Sequence, residues 1–314
     1  MKQKISVVIA TYNEVLNIEK LYNVIKDIIH KHELSYEFIV IDNRSEDGTI
    51  EKLKAIAKID INFKVIINRK NFGQIRSPFY AFKLASGDCA LSVSADFQDP
   101  PELIDELITK WKKGADVVMA RKLNDTSNFL FTKAKKFFYY LINKFSDIDL
   151  PQNTTGSGIY SKSIINEMRK LSDPYPYFRG MVSEITDRIE FVDFVQPKRL
   201  HGHSKTNIFS LYDIGILGFI KHTKLMRPIA FIGFFLSFIS IIISISYLIL
   251  KILNWDSFSS GIAPVLIGMF FIFSVLIFFL GLLGEYLIII LNLLKNTPLV
   301  FEEEKINFDK DKEI

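Results

Sequence analysis

From Ile5 to Met119 the sequence alternates short apolar stretches with segments of helical periodicity. A short apolar run rich in Val and Ile is typical of a buried strand, whereas apolar residues spaced three and four apart indicate an amphipathic helix. The apolar runs are ISVVIA, FIVID, KVIIN, CALSVSA and DVVMA, and NIEKLYNVIKDIIHKH is the clearest helical segment. This alternation predicts an α/β sheet with crossover helices.

Polar segments follow four of these strands. They are TYNE, DNRSEDGT, NRKNFG and DFQDPP. Ligands of open α/β sheets bind beyond the carboxyl ends of the strands. We therefore expect the four segments to meet in one crevice.

Composition narrows the class of protein. The 314 residues are 49% hydrophobic, which allows one large domain and a smaller appendage. The net charge, 39 minus 35 or +4, is too small to indicate a nucleic-acid partner. The single cysteine, Cys89, excludes an internal disulfide framework.

The last third of the chain contains two uncharged stretches, 229–250 and 258–284. Each is long enough to cross about 30 Å of hydrocarbon as a helix, and soluble core helices rarely remain uncharged over such a length. Lys221, Lys224 and Arg227 precede the first stretch and Lys295 follows the second. The two stretches therefore predict a C-terminal two-helix transmembrane hairpin in a multi-pass inner-membrane protein. Because positive residues next to membrane spans lie mostly on the cytoplasmic side, the α/β domain is expected in the cytosol.

Two further segments have interfacial composition. Residues 128–145 interleave four lysines with aromatic residues. This pattern fits two interpretations equally, a helix at the membrane interface and a helix packed on the domain's own sheet. For residues 207–228 we favour an amphipathic helix at the membrane surface. The predicted divisions are a catalytic domain at 1–206, this juxtamembrane helix, a hairpin at 229–294 and a cytosolic tail at 295–314.

The motifs ISVVIATYNE, IVIDNRSEDGT, NFGQIRSPFYAFKLASGD and SADFQDPPELI, in this order, resemble those of the family 2 glycosyltransferases. The later FRGMVSE and QPKRLHGHSKTN, with the hairpin, are similar to the membrane-attached polyprenyl-phosphate sugar transferases, which include dolichol-phosphate mannosyltransferase and bactoprenol glucosyltransferase. The resemblance covers nearly the whole chain and rests on the combination, since each motif alone is weak. It implies a GT-A (Rossmann-like) fold, a nucleotide-sugar donor, a divalent ion and inverting transfer.

The resemblance also places the donor site. The segment DNRSEDGT departs from the usual DDGSxDGT, with Asn43 at the second acid, and an amide that both donates and accepts does not select one base. Uracil is the first choice, and guanine stays open. The nucleotide-binding residues that it implies are Thr11, Tyr12, Glu14, Asp42, Asn43, Ser94 and Ala95.

Asp96 and Gln98 match the family's metal-binding acid and amide, and Asp96 is also assigned to catalysis. Mg²⁺ and Mn²⁺ prefer oxygen ligands, with the remaining positions filled by water and phosphate. Ser94 stands at the family's first acid, which weakens the site by one negative charge. We assign Asp99, which precedes Pro100, to the N-cap of a helix.

The acceptor side lacks a base, because Ser157 occupies the position of the family's acid. A phosphate monoester is largely anionic at neutral pH and needs no base, whereas a sugar hydroxyl does. The predicted acceptor-phosphate residues are Arg121, Arg179, Ser204 and Lys205, with Arg179 also catalytic. Glu184 has two possible roles, orienting Arg179 by ion pairing, which we favour, or acting as a base itself.

We therefore predict transfer of a single sugar, from a UDP-sugar by preference, to polyprenyl phosphate at the cytosolic membrane face, for the synthesis of cell-envelope glycan or glycolipid. The alternatives are transfer to a hydroxyl of a lipid-linked or glycan acceptor, and a catalytically silent nucleotide-binding membrane scaffold. Relatives assemble through their membrane parts, so the resemblance also implies homo-oligomers. Which sugar moves is left open.

Overall fold

The computed structural model describes residues 2–123, 150–197 except 172, 262–294 and 297–308, together with isolated residues between 124 and 149 and between 198 and 261. The first strands and helices alternate, as the sequence predicts. They are β1 (Lys4–Thr11), α1 (Ile18–Lys31), β2 (Ser35–Asp42), α2 (Thr49–Ile59), β3 (Phe63–Asn68), α3 (Gly73–Lys83), β4 (Cys89–Ser94), α4 (Pro101–Lys112) and β5 (Val117–Lys122).

The elements that follow were not predicted from the sequence in this form. They are β6 (Thr154–Ser161), α5 (Lys162–Lys170), α6 (Phe178–Ile185), β7 (Ile189–Phe194), α7 (Ile262–Leu294) and β8 (Glu302–Ile306). Helix α7 begins four residues after the start of the second predicted membrane stretch and continues to Leu294. Strand β8 lies in the segment predicted as a tail.

The eight described strands form one sheet in the order β7-β5-β6-β4-β1-β2-β3-β8. Strands β4, β1, β2 and β3 are mutually parallel, and β6 runs antiparallel to both of its neighbours, β4 and β5. The register places Thr11 beside Asp42, and Ala10 beside Ser94. The carboxyl ends of β1, β2 and β4 therefore meet at one edge of the sheet.

Hydrophobic cores cover both faces of this sheet. In β1, Ile5, Val7 and Ile9 pack with residues of α1 and α4, whereas Val8 belongs to the opposite core with residues of α3 and α5. Alternation of side chains along a strand explains this division, and burial on both faces explains why the strands are almost continuously apolar. The α/β, GT-A-like Rossmann sheet expected from the sequence is thereby confirmed.

Strand β8 closes the β3 edge. It pairs antiparallel with β3, with Val65 opposite Ile306 and Ile67 opposite Glu304. The β3 strand thus lies inside the sheet instead of presenting unpaired backbone groups, which are prone to pair with other chains.

The prediction of a multi-pass membrane protein is wrong. A helix that crosses a bilayer needs about 20 consecutive apolar residues, and no helix among the described residues has the necessary length and apolarity. Residues 229–250 lie mostly outside the described part of the chain. The backbone of α7 is described throughout, but its side chains are described over at most seven consecutive residues, 275–281. The two-helix hairpin is accordingly unconfirmed, and most of the segments 128–145 and 207–228 also lie outside the described residues.

Candidate active site

The segments that follow β1 and β2 interlock at the carboxyl edge of the sheet. The backbone N–H of Asn13 donates to Ser45 Oγ at 2.8 Å, and the N–H of Glu46 donates to Asn13 Oδ1 at 2.9 Å. The N–H of Glu14 donates to Thr49 Oγ1 at 2.9 Å. These bonds bring TYNE and DNRSEDGT together at the carboxyl edge, and the convergence of all four polar segments in one crevice stays a prediction.

Left-handed backbone conformations concentrate around the same edge. Asn13, Arg44 and Phe97 follow β1, β2 and β4 with φ values of 57°, 65° and 58°, and Asn153 precedes β6 with a φ of 58°. Such conformations are uncommon outside glycine and are strained for a bulky residue such as Phe97. They tend to be retained at binding and catalytic sites, where the surrounding structure enforces them.

Asp42 lies fully buried at the end of β2 and holds these segments in place. Its Oδ1 accepts from the N–H of Ser45 at 2.7 Å, and its Oδ2 accepts from Ser45 Oγ at 2.6 Å and Thr11 Oγ1 at 2.9 Å. Burial raises the pKa of Asp42 above its usual range despite these bonds. Thr11 and Asp42, both predicted to contact nucleotide, are thus bonded to each other, and their contact with a nucleotide stays a prediction.

Asn43 is similarly committed to the protein. Its Oδ1 accepts from Ser77 Oγ at 2.6 Å, from the N–H of Phe72 at 3.1 Å and from Asn68 Nδ2 at 3.2 Å. These donors lie on β3, α3 and the segment between them. Asn43 therefore ties the end of β2 to the NRKNFG segment, and its carbonyl oxygen is already shared by three donors.

Glu14 and Tyr12 are half-buried beside this network. Glu14 Oε2 accepts from Asn17 Nδ2 at 2.7 Å, and its backbone carbonyl accepts from the N–H groups of Asn17 and Ile18. Glu14 therefore also organises the first turn of α1. Both residues follow β1 at the carboxyl edge of the sheet, and their contact with nucleotide stays a prediction.

The turn after β4 contains Ala95 and the predicted metal ligands. Asp96 is 7% exposed and Gln98 is half-buried. Asp96 Oδ1 accepts from the N–H of Gln98 at 3.2 Å, so the turn folds Gln98 back toward Asp96 across Phe97. A carboxylate and an amide oxygen in one turn fit Mg²⁺ or Mn²⁺, which are held by few protein oxygens.

The protein ligands at this position are few. Among the described residues, no group of three or more His, Cys, Asp and Glu side chains is arranged to hold a metal. Asp96 and Gln98 would therefore supply two ligands, and phosphate and water would complete the shell.

The assignment of Asp99 as a helix cap is wrong. Helix α4 begins at Pro101 after Pro100, and no side chain caps it. The Oδ2 atom of Asp99 instead accepts from the N–H of Ser94 and from Ser157 Oγ, each at 2.7 Å. Burial raises the pKa of Asp99, and the bonds from Ser157 and Ser94 only partly oppose this. Sequence reasoning missed this link because its partners lie in β4 and β6, and a cap signal is purely local.

Arg121 lies at the end of β5 on the same edge of the sheet. Its guanidinium donates to both carboxylate oxygens of Asp193 on β7, at 2.5 and 2.9 Å, and it lies 4.8 Å from the ring centre of Phe191. Arg121 and Phe191 line a cavity of about 500 Å³ together with Lys122, Leu123, Gln152 and Asn153. The predicted phosphate ligand therefore lies in a basic cavity but already has an anionic partner.

Arg179 lies in the first turn of α6 and is half-buried. Its charge acts on the phenol of Tyr160, lowering a pKa that burial raises well above its usual range. The neighbouring Phe178 packs edge-on against Tyr160 and Phe82, which anchors α6 to the sheet. The predicted pairing with Glu184 stays a prediction, and Ser204 and Lys205 lie outside the described residues.

The C-terminal segment contacts the donor side of the edge, which the sequence did not reveal. Arg44 pairs with Glu303, and Arg76 Nε donates to the carbonyl oxygen of Leu299 at 2.8 Å. The backbone N–H of Arg69 donates to the carbonyl oxygen of Phe301 at 2.9 Å. The tail therefore supports both the DNRSEDGT and NRKNFG segments.

The family model of Glycosyl transferase family 2 matches residues 6–169, more than half of the chain. The chain belongs to glycosyltransferase family 2. The predicted family is thereby confirmed, and the protein is a transferase.

Relatives of this family 2 glycosyltransferase align over almost their full length. The SfII prophage-derived bactoprenol glucosyl transferase of Shigella flexneri is 28% identical over 297 residues, which cover 94% of this chain and 96% of the relative. An uncharacterised glycosyltransferase of Synechocystis sp. is 28% identical over 289 residues, 91% of each chain. A solved complex of glucosyl-3-phosphoglycerate synthase from Mycobacterium tuberculosis with Mn²⁺, UDP-glucose and phosphoglyceric acid is 19% identical, with a TM-score of 0.47 over 68% of this chain and 76% of that one.

Proposed function

We propose that this family 2 glycosyltransferase transfers one sugar from a nucleotide diphosphate sugar to a polyprenyl phosphate. The observation that carries the proposal is the full-length similarity to proteins named bactoprenol glucosyl transferase. A UDP-sugar is the preferred donor, and glucose is the first sugar to test.

The donor side is supported by the crevice at the ends of β1, β2 and β4. Tyr12 and Glu14 are half-buried directly after β1, and the Thr11–Asp42 bond fixes the ends of β1 and β2 against each other. Asp96 and Gln98 would hold the divalent ion that, when bound, neutralises charge developing on the departing diphosphate. The protein's part in this step is to fix the diphosphate in line with the attacking oxygen.

The acceptor side is supported by the cations at the ends of β5 and in α6. Arg121 lines a cavity of about 500 Å³ at this edge. A guanidinium can bind phosphate through two parallel hydrogen bonds. We propose that Arg121 and Arg179 bind the acceptor phosphate, assisted by Ser204 and Lys205.

The presence of a serine at position 157 also favours an anionic acceptor. Ser157 Oγ donates to Asp99, and a serine there provides no base for a neutral alcohol. A phosphate monoester arrives largely deprotonated, since its second pKa is about 6. Transfer would then consist of attack by a phosphate oxygen on the anomeric carbon, with the nucleotide diphosphate leaving from the opposite face.

A donor screen tests the proposal. The full-length protein is incubated with Mn²⁺, undecaprenyl phosphate in detergent and, separately, UDP-glucose, UDP-N-acetylglucosamine and GDP-mannose, and the lipid phase is analysed by mass spectrometry. We expect one UDP-sugar to give a lipid heavier by one sugar residue. Parallel reactions contain a glycan in place of the lipid, and the glycan is analysed by mass spectrometry. Modification of the glycan alone would favour the hydroxyl acceptor, and binding of UDP without product in either reaction would favour the silent scaffold.

A further inference from the structure

The carboxylate of Asp99 joins three segments through a single oxygen. Its Oδ2 accepts from the backbone N–H of Ser94, at the end of β4, and from Ser157 Oγ on β6, each at 2.7 Å. Asp99 is 2% exposed and Ser157 is 3% exposed. Within the described part of the chain, Asp99 Oδ1 has no hydrogen-bond partner.

Burial of this carboxylate is costly, because a charged or polar group loses its hydration inside a protein. The start of α4 does not need it, since Asp99 makes no capping bond there. The bonds of this buried side chain therefore lie outside the helix, at Ser94 and Ser157.

The bond between Ser94 and Asp99 closes a loop around Phe97. Phe97 has a φ of 58°, and it separates Asp96 from Gln98. A bulky residue keeps such a conformation only when neighbouring contacts enforce it. The bond from Ser94 N–H fixes the start of the turn to its end, and the bond from Ser157 fixes the end to β6.

We propose that Asp99 is a positioning residue of the transferase: it holds the 94–98 turn against β6 so that Asp96 and Gln98 point together into the crevice. The proposal rests on the function proposed above. Its basis is hydrogen-bond acceptance by Oδ2, so an asparagine, whose amide oxygen accepts the same two bonds, substitutes for it.

UDP binding with and without Mn²⁺ tests this role by calorimetry. We expect Asp99→Ala to weaken UDP binding about tenfold with Mn²⁺ present, since misplaced ligands would bind the ion poorly. Without Mn²⁺ we expect a change of less than about twofold, because the contacts to base and ribose are intact. Asp99→Asn should recover Mn²⁺-dependent binding to within about threefold of wild type.

The matched control is Asp105→Asn on the same helix. Asp105 is bonded to Lys31 and His32 on the surface, away from the crevice, so both titrations should be unchanged. Wild-type binding in Asp99→Ala would overturn the proposal. So would an Asp99→Asn variant as weak as Asp99→Ala, because the carboxylate's charge, and not its acceptor capacity, would then matter.

A double-mutant cycle checks the link to β6. Ser157→Ala alone should weaken Mn²⁺-dependent UDP binding about threefold, and it should have no further effect in the Asp99→Ala background. Independent, multiplying effects would contradict the link. If Asp99→Ala fails to fold by circular dichroism, Ser157→Ala and Asp99→Asn decide the question. These titrations need no acceptor, so failure of lipid transfer in the wild type would overturn the proposed function separately.

Discussion

Arg121 and Asp193 form a two-bond ion pair across the parallel strands β5 and β7, with N–O distances of 2.5 and 2.9 Å. Both side chains are about two-fifths exposed, at 42% and 40%. Such an exposed pair contributes little to stability. More important for function, Asp193 already accepts hydrogen bonds from the Arg121 guanidinium, the group that we propose binds the acceptor phosphate.

The pair therefore predicts opposite effects of two substitutions on the acceptor. Arg121→Ala should raise the KM for undecaprenyl phosphate about tenfold, because a charge-assisted contact is lost. Asp193→Asn should lower that KM, because it removes the competing anion. Steady-state kinetics at saturating donor measures both, and unchanged donor KM is the internal control. A higher acceptor KM in Asp193→Asn would show that Asp193 helps to present Arg121 instead of competing for it.

Thr11 provides a test of the donor side. Thr11→Val removes the hydroxyl that donates to buried Asp42, and we expect it to lower the free energy of unfolding by about 1–2 kcal/mol. Thr11→Ser keeps the hydroxyl and is the matched control. Urea denaturation measures both variants, and the KM for UDP-glucose should rise only in the valine variant. Equal stability of the two variants would mean that the Thr11–Asp42 bond does not support this edge.

Glu37 links stability to pH at the opposite edge of the sheet. Burial raises the pKa of this carboxyl, but hydrogen bonds from Ser6, Lys64, Lys4 and the N–H of Ser86 outweigh burial and lower it to about 2. Because the folded-state pKa lies below the unfolded value of 4.5, the stabilisation is fully present above pH 4.5 and is lost as the pH falls toward 2.

The difference in unfolding free energy between wild type and Glu37→Gln should change over the same pH range. We expect the stability advantage of wild type to be constant above pH 5 and to fall by roughly 3 kcal/mol as the pH approaches 2. Urea unfolding of both proteins at a series of pH values measures the difference. A pH-independent difference would contradict the depressed pKa.

The sequence predicted β1 to β4 well because each is a short apolar run buried on both faces. The run ISVVIA needs no distant partner to be recognised, and the polar segment that follows it must then lie at the carboxyl edge. For the same reason the shared edge of these strand ends could be placed before its contacts were known. The residues in it were predicted by type, but their mutual bonds, such as that between Thr11 and Asp42, were not.

Strand β8 and the role of Asp99 depend on contacts that no local pattern contains. The strand EEEKI has no apolar run, and it is held by pairing with β3 and by Arg44 and Lys54, about 250 residues away in sequence. Asp99 is 58 residues from Ser157. A local rule assigned it to a helix cap because Asp followed by Pro is typical of that position.

Substitutions of Asn307 test how much the attachment of β8 contributes to stability. Its Nδ2 donates to the carbonyl oxygens of Ala57 at 2.7 Å and Phe63 at 2.9 Å, and its φ is 62°. Asn307→Gly keeps the backbone conformation and loses the bonds, so we expect a loss of about 1–3 kcal/mol in unfolding free energy. Asn307→Ala should lose about 1–2 kcal/mol more, because alanine is strained at positive φ. Thermal denaturation orders the three proteins, and an alanine variant as stable as the glycine variant would contradict this order.

The most direct test of sugar transfer to a lipid phosphate is the label recovered in the lipid phase. Wild type and Asp96→Ala are incubated with radiolabelled UDP-glucose, Mn²⁺ and undecaprenyl phosphate in detergent. We predict label in the lipid phase with wild type and a reduction of at least about 100-fold with Asp96→Ala, because a ligand of the ion that stabilises the leaving diphosphate is removed. Full activity of Asp96→Ala would contradict the role of this carboxylate. Absence of lipid label from wild type with every nucleotide sugar would contradict the proposed function itself.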